Sequence, residues 1–201
     1  MINYIADPLF WQRFLSSAGF YQGALDSDFG SQSHAAGEQF EAQSLEIARE
    51  LGFFDIRTEG NIQTLLPKAQ RRARQFLKDI NAQLGGDGLI FKIISGTRTY
   101  DQQNALFAQG RTIPGRIVTR ARGGQSNHNF GVAWDIGIFR NGEYIPESTL
   151  YQKAGAIGKR EGLEWGGDWQ GFQDEPHFQA IAEAHLAETR IAFEAGKNFL
   201  A

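Results

Sequence analysis

Two short stretches of the chain carry the residue types that a hydrolytic metal site needs. Residues 126–135 read Ser-Asn-His-Asn-Phe-Gly-Val-Ala-Trp-Asp, and residues 174–178 read Asp-Glu-Pro-His-Phe. Together they offer two imidazoles, an aspartate in the first stretch and further acids in the second. A catalytic zinc site uses three protein ligands and leaves the fourth position to water, from which a free carboxylate can take a proton. The two stretches therefore predict metal-assisted hydrolysis.

The first stretch leads into a strand that has two different faces. Alternation places the large apolar side chains on one face: Val132, Trp134, Ile136 and Ile138. The other face carries small residues and a single carboxylate: Gly131, Ala133, Asp135 and Gly137. A lone carboxylate in an apolar strand is costly to bury unless it is paired or bound to a metal. His128 lies just before the strand, and its loop can bring the imidazole back to Asp135.

The first half of the chain reads as helices. Gly19 is expected to end the first helix, and Ser31 or Ser33 to cap a second helix that runs to about Glu50. Pro67 suits the first turn of another helix, predicted over 67–84. We expect the basic residues of that helix to form a solvated face: Lys68, Arg71, Arg72 and Arg74.

The second half mixes strands and helices. Apolar and β-branched runs predict strands over 89–94, 132–139, 164–165 and 176–179. Helices are expected over 101–109, 148–161 and 181–195, with a loop rich in Gly and Arg over 110–125. This pattern predicts an α+β fold, in which a small and mostly antiparallel sheet is flanked by helices and preceded by a small all-helical module.

Composition excludes several classes of protein. The 201 residues include no cysteine, so a metal site must use His, Asp or Glu. The net charge of −3 argues against binding nucleic acid or an anionic membrane surface. No apolar run approaches the ~20 residues of a membrane span, so membrane insertion is not expected. The opening residues lack the features of a Sec signal, and we therefore expect synthesis in the cytoplasm and release by another route.

Five residues match a family pattern. Ser126, His128, Gly131, Ala133 and Asp135 fit S-x-H-x-x-G-x-A-x-D. On these residues the chain resembles the zinc D-Ala-D-Ala carboxypeptidases and their relatives, over about residues 65–180. The resemblance implies the fold shared by those peptidases and hedgehog-type signalling domains.

A second element points to one branch of that family. Asp174-x-x-His177-Phe178, with Pro before the His, is typical of the L-alanyl-D-glutamate endopeptidase branch. The Gly-Gly-Asp-Trp run at 166–169 is similar to that branch as well. Residues 95–99 resemble the strand end that supplies the family's active-site arginine.

The resemblance implies a role for each of these residues. His128, Asp135 and His177 would bind one zinc ion. Asp174 would be the general base, and Arg98 would stabilise oxyanion charge or hold a substrate carbonyl or carboxylate.

Some assignments have alternatives. Glu175 competes with Asp174 as the base, but strand period should point Glu175 away from the site. Ser126, Trp165 and Trp169 are candidate substrate contacts, with loop or core packing as the alternative.

The first residues resemble the small helical peptidoglycan-binding modules attached to many wall hydrolases. The matching positions are Gly19, Tyr21, Gly23, Asp26, Phe29, Gly30, Ala36 and Phe40. Ser27 stands where those modules usually have Gly, and residues 52–66 match poorly. The resemblance predicts a binding module at 1–64 and a peptidase domain at 65–201. The alternative is a helical subdomain that packs on the same core.

Together the resemblances imply a zinc peptidase that cuts bacterial peptidoglycan between L-Ala and D-Glu of the stem peptide. A wall substrate without a Sec signal favours a phage endolysin that lyses its host and acts on the wall after release; a secreted anti-bacterial effector is the alternative. A D,D-carboxypeptidase, a D-Ala-D-Ala dipeptidase or a zinc-retaining binding domain on the same scaffold also remain open. We expect a monomer.

Overall fold

A computed structural model describes residues 2–146 and 148–200 of the chain. It contains seven α-helices in the described residues: α1 Pro8–Ser17, α2 Ser31–Leu51, α3 Ile56–Ile62, α4 Pro67–Leu84, α5 Tyr100–Ala108, α6 Leu150–Arg160 and α7 Leu186–Glu194. The strands are β1 Leu89–Ser95, β2 Ala133–Arg140, β3 Glu143–Ile145, β4 Glu164–Trp165 and β5 His177–Gln179. The predicted α+β class is confirmed. None of the described helices is both long and apolar enough to cross a bilayer.

The five strands form one antiparallel sheet, in which four follow the order β1-β2-β5-β4 and β3 pairs with β2. β1 covers one edge of β2, while β5 and β3 share its other edge at opposite ends. The face predicted to be apolar is fully buried at Val132, Trp134, Ile136 and Ile138. The sheet therefore packs this face on the hydrophobic core. Asp135 and His177 lie next to each other where β2 pairs with β5.

The N-terminal helices share this core with the sheet. The Phe10 and Phe193 rings, in α1 and α7, lie with their centroids 5.3 Å apart. Asn61 of α3 donates a hydrogen bond from its side chain to the Ile93 carbonyl in β1 at 3.0 Å. One continuous apolar cluster thus joins residues on both sides of position 64.

Several local features differ from the expectations. The helix α3 and the strand β3 were not predicted, and the C-terminal helix is preceded by a separate 3-10 turn at Glu183–His185. The N-cap of α2 is Gly30, with no side-chain cap hydrogen bond, so the prediction of Ser31 or Ser33 as the cap is wrong. By contrast, α4 begins and ends as predicted. Its proline fixes the first turn, and Gly85 follows its last residue.

The predicted solvated face of α4 is wrong for two arginines. Arg74 is fully buried and pairs with Glu59 through two N–H···O contacts of 2.7 and 2.8 Å. Arg72 donates hydrogen bonds to the carbonyls of Ala180 at 3.0 Å and Gly162 at 2.7 Å. Long basic side chains can reach backbone and acidic acceptors across a helix interface, which the charge pattern alone does not reveal.

Candidate metal centre

The register of the sheet brings three ligand-type side chains together. Asp135 in β2 pairs directly with His177 in β5, and His128 precedes β2 in the 3-10 turn Asn127–Phe130. His128 Nε2 lies 3.1 Å from both Asp135 Oδ1 and His177 Nδ1, and the last two atoms lie 3.2 Å apart. Nitrogen and oxygen ligands held tetrahedrally about 2.0–2.1 Å from zinc are separated by about 3.3 Å. The triangle therefore fits three ligands of one zinc ion.

Hydrogen bonds on the far side of each imidazole fix which nitrogen faces this triangle. His128 Nδ1 lies 2.7 Å from the Gly96 carbonyl oxygen, and His177 Nε2 lies 2.8 Å from Gln179 Oε1. The Gln179 amide is oriented in turn, since its Nε2 donates to Glu164 Oε1 at 3.2 Å. Both imidazole partners are acceptors, so each ring donates its N–H to them and turns a lone pair to the cluster. Three acceptors that converge in this way suit a cation.

The pKa shifts of the three groups agree with this. Burial lowers the pKa of His128 to about 4, and the nearby Arg98 guanidinium acts in the same direction. Burial opposes charge on His177 too, but the hydrogen bond and the charge of Asp135, the charge of Asp174 and the contact with Gln179 together raise the pKa of that imidazole. Burial alone would raise the pKa of Asp135, yet contacts with both imidazoles hold it well below its usual range. The cluster thus keeps its carboxylate ionised and favours one added positive charge.

His128 and His177 line a cleft with a volume of about 540 Å³. Two further charged side chains, Arg98 and Asp174, line the same cleft. Burial raises the pKa of Asp174 to about 6, and the negative charge of Asp135 adds to the rise. Arg98 Nη1 lies 3.9 Å from Asp135 Oδ2, and the Arg98 backbone N–H donates to the His128 carbonyl at 3.1 Å. An acid that titrates near neutral pH can both accept and return a proton.

Asp174 enters the cleft from a turn rather than from a strand. The His177 N–H donates to the Asp174 carbonyl at 3.1 Å, and β5 begins only at His177. Strand alternation therefore does not apply to residues 174–176. Glu175 does not line the cleft, and its Oε1 accepts from Gln152 Nε2 at 3.5 Å. The turn before β5 therefore directs Asp174 into the cleft and Glu175 away from it.

The three candidate substrate contacts have different surroundings. Ser126 lines the cleft, and its hydroxyl accepts from the His128 N–H at 3.4 Å. Trp169 also lines it, with its ring centroid 4.8 Å from that of His177. Trp165 does not line the cleft; the residue is only 7% exposed and packs into the core, which is the alternative given for it. A Cβ at Gly155 would touch the Trp165 ring, which shows how closely α6 covers it.

Sequence reasoning missed residues that complete the centre. Gln179 is fully buried beside His177 and shares its face of β5, so alternation from the histidine was the signal that could have found it. Arg120 and Phe172 line the cleft from two loops. Loop residues without a periodic pattern offered no comparable signal.

Two glycines hold the ligand loop in place. Gly131 has a φ of 69°, which L side chains rarely adopt, and a Cβ there would lie 2.6 Å from Phe14 Cε2. A Cβ at Gly96 would meet the Asn61 carbonyl and lie 2.5 Å from Thr64 Oγ1. The carbonyl of Gly96 that accepts from His128 is therefore fixed by close packing against the end of α3.

Comparison with known proteins finds a family model and relatives that match parts of this chain. A family model described as D-alanyl-D-alanine carboxypeptidase matches residues 119–180. The peptidoglycan L-alanyl-D-glutamate endopeptidase CwlK of Bacillus subtilis (strain 168) is 37% identical over 112 residues, which are 51% of this chain and 67% of that protein. The L-alanyl-D-glutamate peptidase of Listeria phage A118 is 31% identical over 141 residues, which are 68% of this chain and 45% of that protein. The chain thus spans two thirds of the bacterial relative and under half of the phage relative.

Among solved structures, the crystal structure of the Serratia marcescens L-Ala D-Glu endopeptidase ChiX gives a TM-score of 0.49 at 24% identity, covering 66% of this chain and 92% of that chain. The sequence matches carry the assignment, and the family model covers the segment that holds all three converging side chains. The chain belongs to the peptidase family that contains the D-alanyl-D-alanine carboxypeptidases and the L-alanyl-D-glutamate endopeptidases.

Proposed function

We propose that this chain is a zinc-dependent endopeptidase that hydrolyses the L-Ala–D-Glu bond in the stem peptide of bacterial peptidoglycan. The observation that carries the proposal is the convergence of three lone pairs, from His128, Asp135 and His177, beside the cleft that Asp174 lines. The names of the bacterial and phage relatives support the choice of bond.

The donor set fits zinc, because two neutral imidazoles and one carboxylate are typical of catalytic sites. His128 Nε2, Asp135 Oδ1 and His177 Nδ1 would hold the ion. Zinc in such a site supplies Lewis-acid chemistry and lowers the pKa of a water ligand to about 7. Gln179 and the Gly96 carbonyl keep both imidazoles in the tautomer that binds the metal.

The protein side chains supply the proton transfers and the charge stabilisation. The Asp174 carboxylate takes a proton from the attacking water and returns it to the leaving nitrogen, so the acid ends the cycle as it began. Arg98 donates N–H groups to the substrate carbonyl oxygen as negative charge develops on it. Asp135 limits the freedom of this guanidinium by holding it at 3.9 Å.

The wider setting is part of the proposal. A phage relative supports a role as an endolysin that lyses the host, with the anti-bacterial effector as the other origin. We propose that residues 1–64 bind the wall, since joining a weak binder to a catalyst raises the local concentration of substrate. In this proposal the protein is a monomer and acts on the wall after its release from the cell.

Mass spectrometry of peptides released from several purified sacculi tests the reaction. Hydrolysis at the proposed bond creates a new amino terminus on D-Glu, or on its amidated form, and a chelator should abolish it. Release of D-Ala instead would identify a D,D-carboxypeptidase or dipeptidase and overturn the proposed bond.

A pair of variants tests the proposed base. Asp174→Asn should keep stoichiometric zinc but lose at least about 100-fold in turnover, the range expected when a general base is removed. Glu175→Gln is the matched control and should behave like the parent protein, because Glu175 lies outside the cleft. Full activity of Asp174→Asn with zinc bound would contradict the assignment.

A further inference from the structure

One cation in the cleft is not used by the reaction as described. Arg120 lies in the long loop between α5 and β2, is exposed, and lines the same cleft as His177 and Asp174. Its guanidinium carbon lies 4.9 Å from the ring centroid of Phe172, which belongs to the loop between β4 and β5. The two loops therefore meet through a cation–π contact at the wall of the cleft.

The partners of Arg120 differ from those of the other cleft arginine. Arg98 Nη1 lies 3.9 Å from Asp135 Oδ2, and the guanidinium also interacts electrostatically with Asp174. Within residues 2–146 and 148–200, no carboxylate forms an ion pair with Arg120. Its guanidinium carbon lies over the Phe172 ring, a contact that occupies none of its N–H groups and leaves them able to donate to a ligand.

The same loop provides a contrast. Arg111 and Arg122 stack on Phe107, at 3.9 and 4.6 Å from its centroid, and neither lines the cleft. Arginine stacked on an aromatic ring is thus a repeated feature of this loop, but only Arg120 presents its charge to the cleft. That difference points to a role toward the substrate rather than to loop packing alone.

The proposed substrate places an anionic group next to the bond that is cut. In the stem peptide, D-Glu continues the chain through its γ-carboxyl, so its α-carboxyl is free or amidated. A guanidinium edge binds a carboxylate with two parallel N–H···O contacts, whereas an amide offers one neutral oxygen and an opposing N–H donor. We propose, resting on the proposed function, that Arg120 binds the free α-carboxylate of D-Glu and selects wall peptides that are not amidated there.

The test uses two synthetic peptides that differ at one group. Both are acetylated at L-Ala, contain L-Lys at the third position and are amidated at the C-terminus; one has a free D-Glu α-carboxylate and the other an α-amide. The zinc-loaded parent should cut the carboxylate peptide with about tenfold higher kcat/KM, the usual size of one charge-assisted contact. Arg120→Gln should lose about tenfold on the carboxylate peptide only and should leave the amide peptide unchanged.

Matched variants and a binding readout separate recognition from loop damage. Arg122→Gln should keep the preference for the carboxylate peptide. Phe172→Leu should reduce this preference less than Arg120→Gln does, because it retains the positive charge of Arg120. Inhibition by the released γ-D-Glu-L-Lys amide should be stronger than by its α-amide counterpart, and Arg120→Gln should remove that difference too.

The outcomes are distinguishable. If the parent cuts both peptides equally, or if Arg120→Gln slows both alike, the selection is refuted while the endopeptidase proposal stands. If the parent cuts neither peptide between L-Ala and D-Glu, the proposed function fails and the selection falls with it.

Discussion

Two buried charged clusters in this protein have opposite designs. Between α3 and α4, Arg74 and Glu59 meet in a bidentate pair, and each has a further backbone partner: the Gly52 carbonyl at 3.0 Å and the Phe54 N–H at 2.7 Å. Here donors face acceptors and the charges cancel. Apart from Arg74 Nε, which has no hydrogen-bond partner, the pair is complete without any ligand.

The cluster at the end of β2 has the reverse arrangement. Its three members, His128, Asp135 and His177, turn acceptors toward one another, while their donors are directed outward to Gly96 and Gln179. Buried polar groups are normally satisfied, so a cluster of converging acceptors indicates a site for a cation and a function. The comparison separates a structural ion pair from a site by donor and acceptor count alone.

The largest expected effect comes from removing charge from the acceptor cluster. Asp135→Asn should reduce bound zinc from one equivalent to near zero and lower wall hydrolysis by at least about 1,000-fold, because an amide is a far weaker ligand than a carboxylate. Elemental analysis and a sacculus assay measure this. Asp168→Asn, which alters an exposed pair with Lys159, is the control and should keep both properties. Full zinc occupancy in Asp135→Asn would contradict the ligand set.

Breaking the complete pair should damage stability instead of chemistry. Arg74→Met leaves Glu59 buried without its partner and should lower the free energy of unfolding by about 3–5 kcal/mol, while the double variant Arg74→Met/Glu59→Gln should recover much of the loss. Urea denaturation measures both. Arg71→Met on the same helix breaks only the exposed pair with Glu50 and should cost less than about 1 kcal/mol. Equal losses in the two single variants would refute the distinction.

A smaller effect should follow from a residue that supports the acceptor cluster from behind. Gln179→Leu removes the acceptor for His177 Nε2–H and should weaken zinc affinity by about 10–100-fold. Competition with a chromophoric chelator gives this affinity directly. Gln170 lines the cleft without such a contact, so Gln170→Leu should bind zinc like the parent. Unchanged affinity in Gln179→Leu would mean that the tautomer is fixed by other means.

The smallest effect concerns a pair of like charges at the end of α6. Burial and then the neighbouring Asp79 raise the pKa of Glu161 to about 7. A carboxyl whose pKa is raised on folding holds its proton more tightly in the native state, so stability falls as pH rises from about 4.5 to about 7. Glu161→Gln should therefore be more stable than the parent at pH 8, by less than about 1 kcal/mol given its partial exposure, and equal to it at pH 5. Urea midpoints across this range test the sign, and a larger gain at pH 5 would contradict it.

The sequence predicted regular elements better than turns. α4 follows from a proline at its first turn and from an apolar stripe, both local signals. β3 spans only Glu143–Ile145 and is too short to show a pattern of its own, but the Asn141-Gly142 turn that joins it to β2, with φ of 52° and 89°, is a two-residue hairpin signal that could have predicted it. Asp174 is a different case, because its position depends on the turn before β5 and not on strand alternation.

Site prediction had similar limits. The spacing of His128 and Asp135, together with the family pattern, pointed to the residues that the sheet register brings together. Trp165 and Trp169 could not be separated, since both are aromatic and only tertiary packing buries the first. Arg74 was misjudged because its partner, Glu59, lies on a helix that was not predicted.

The contact between Phe14 and Gly131 has a consequence for how this chain can be exchanged with its relatives. A first helix taken from another protein would press a different side chain on the backbone that carries His128, only three residues away. The helix and the histidine turn must therefore change together, and a chimera joined near position 64 will inherit a working ligand loop only if the ring at position 14 comes with it.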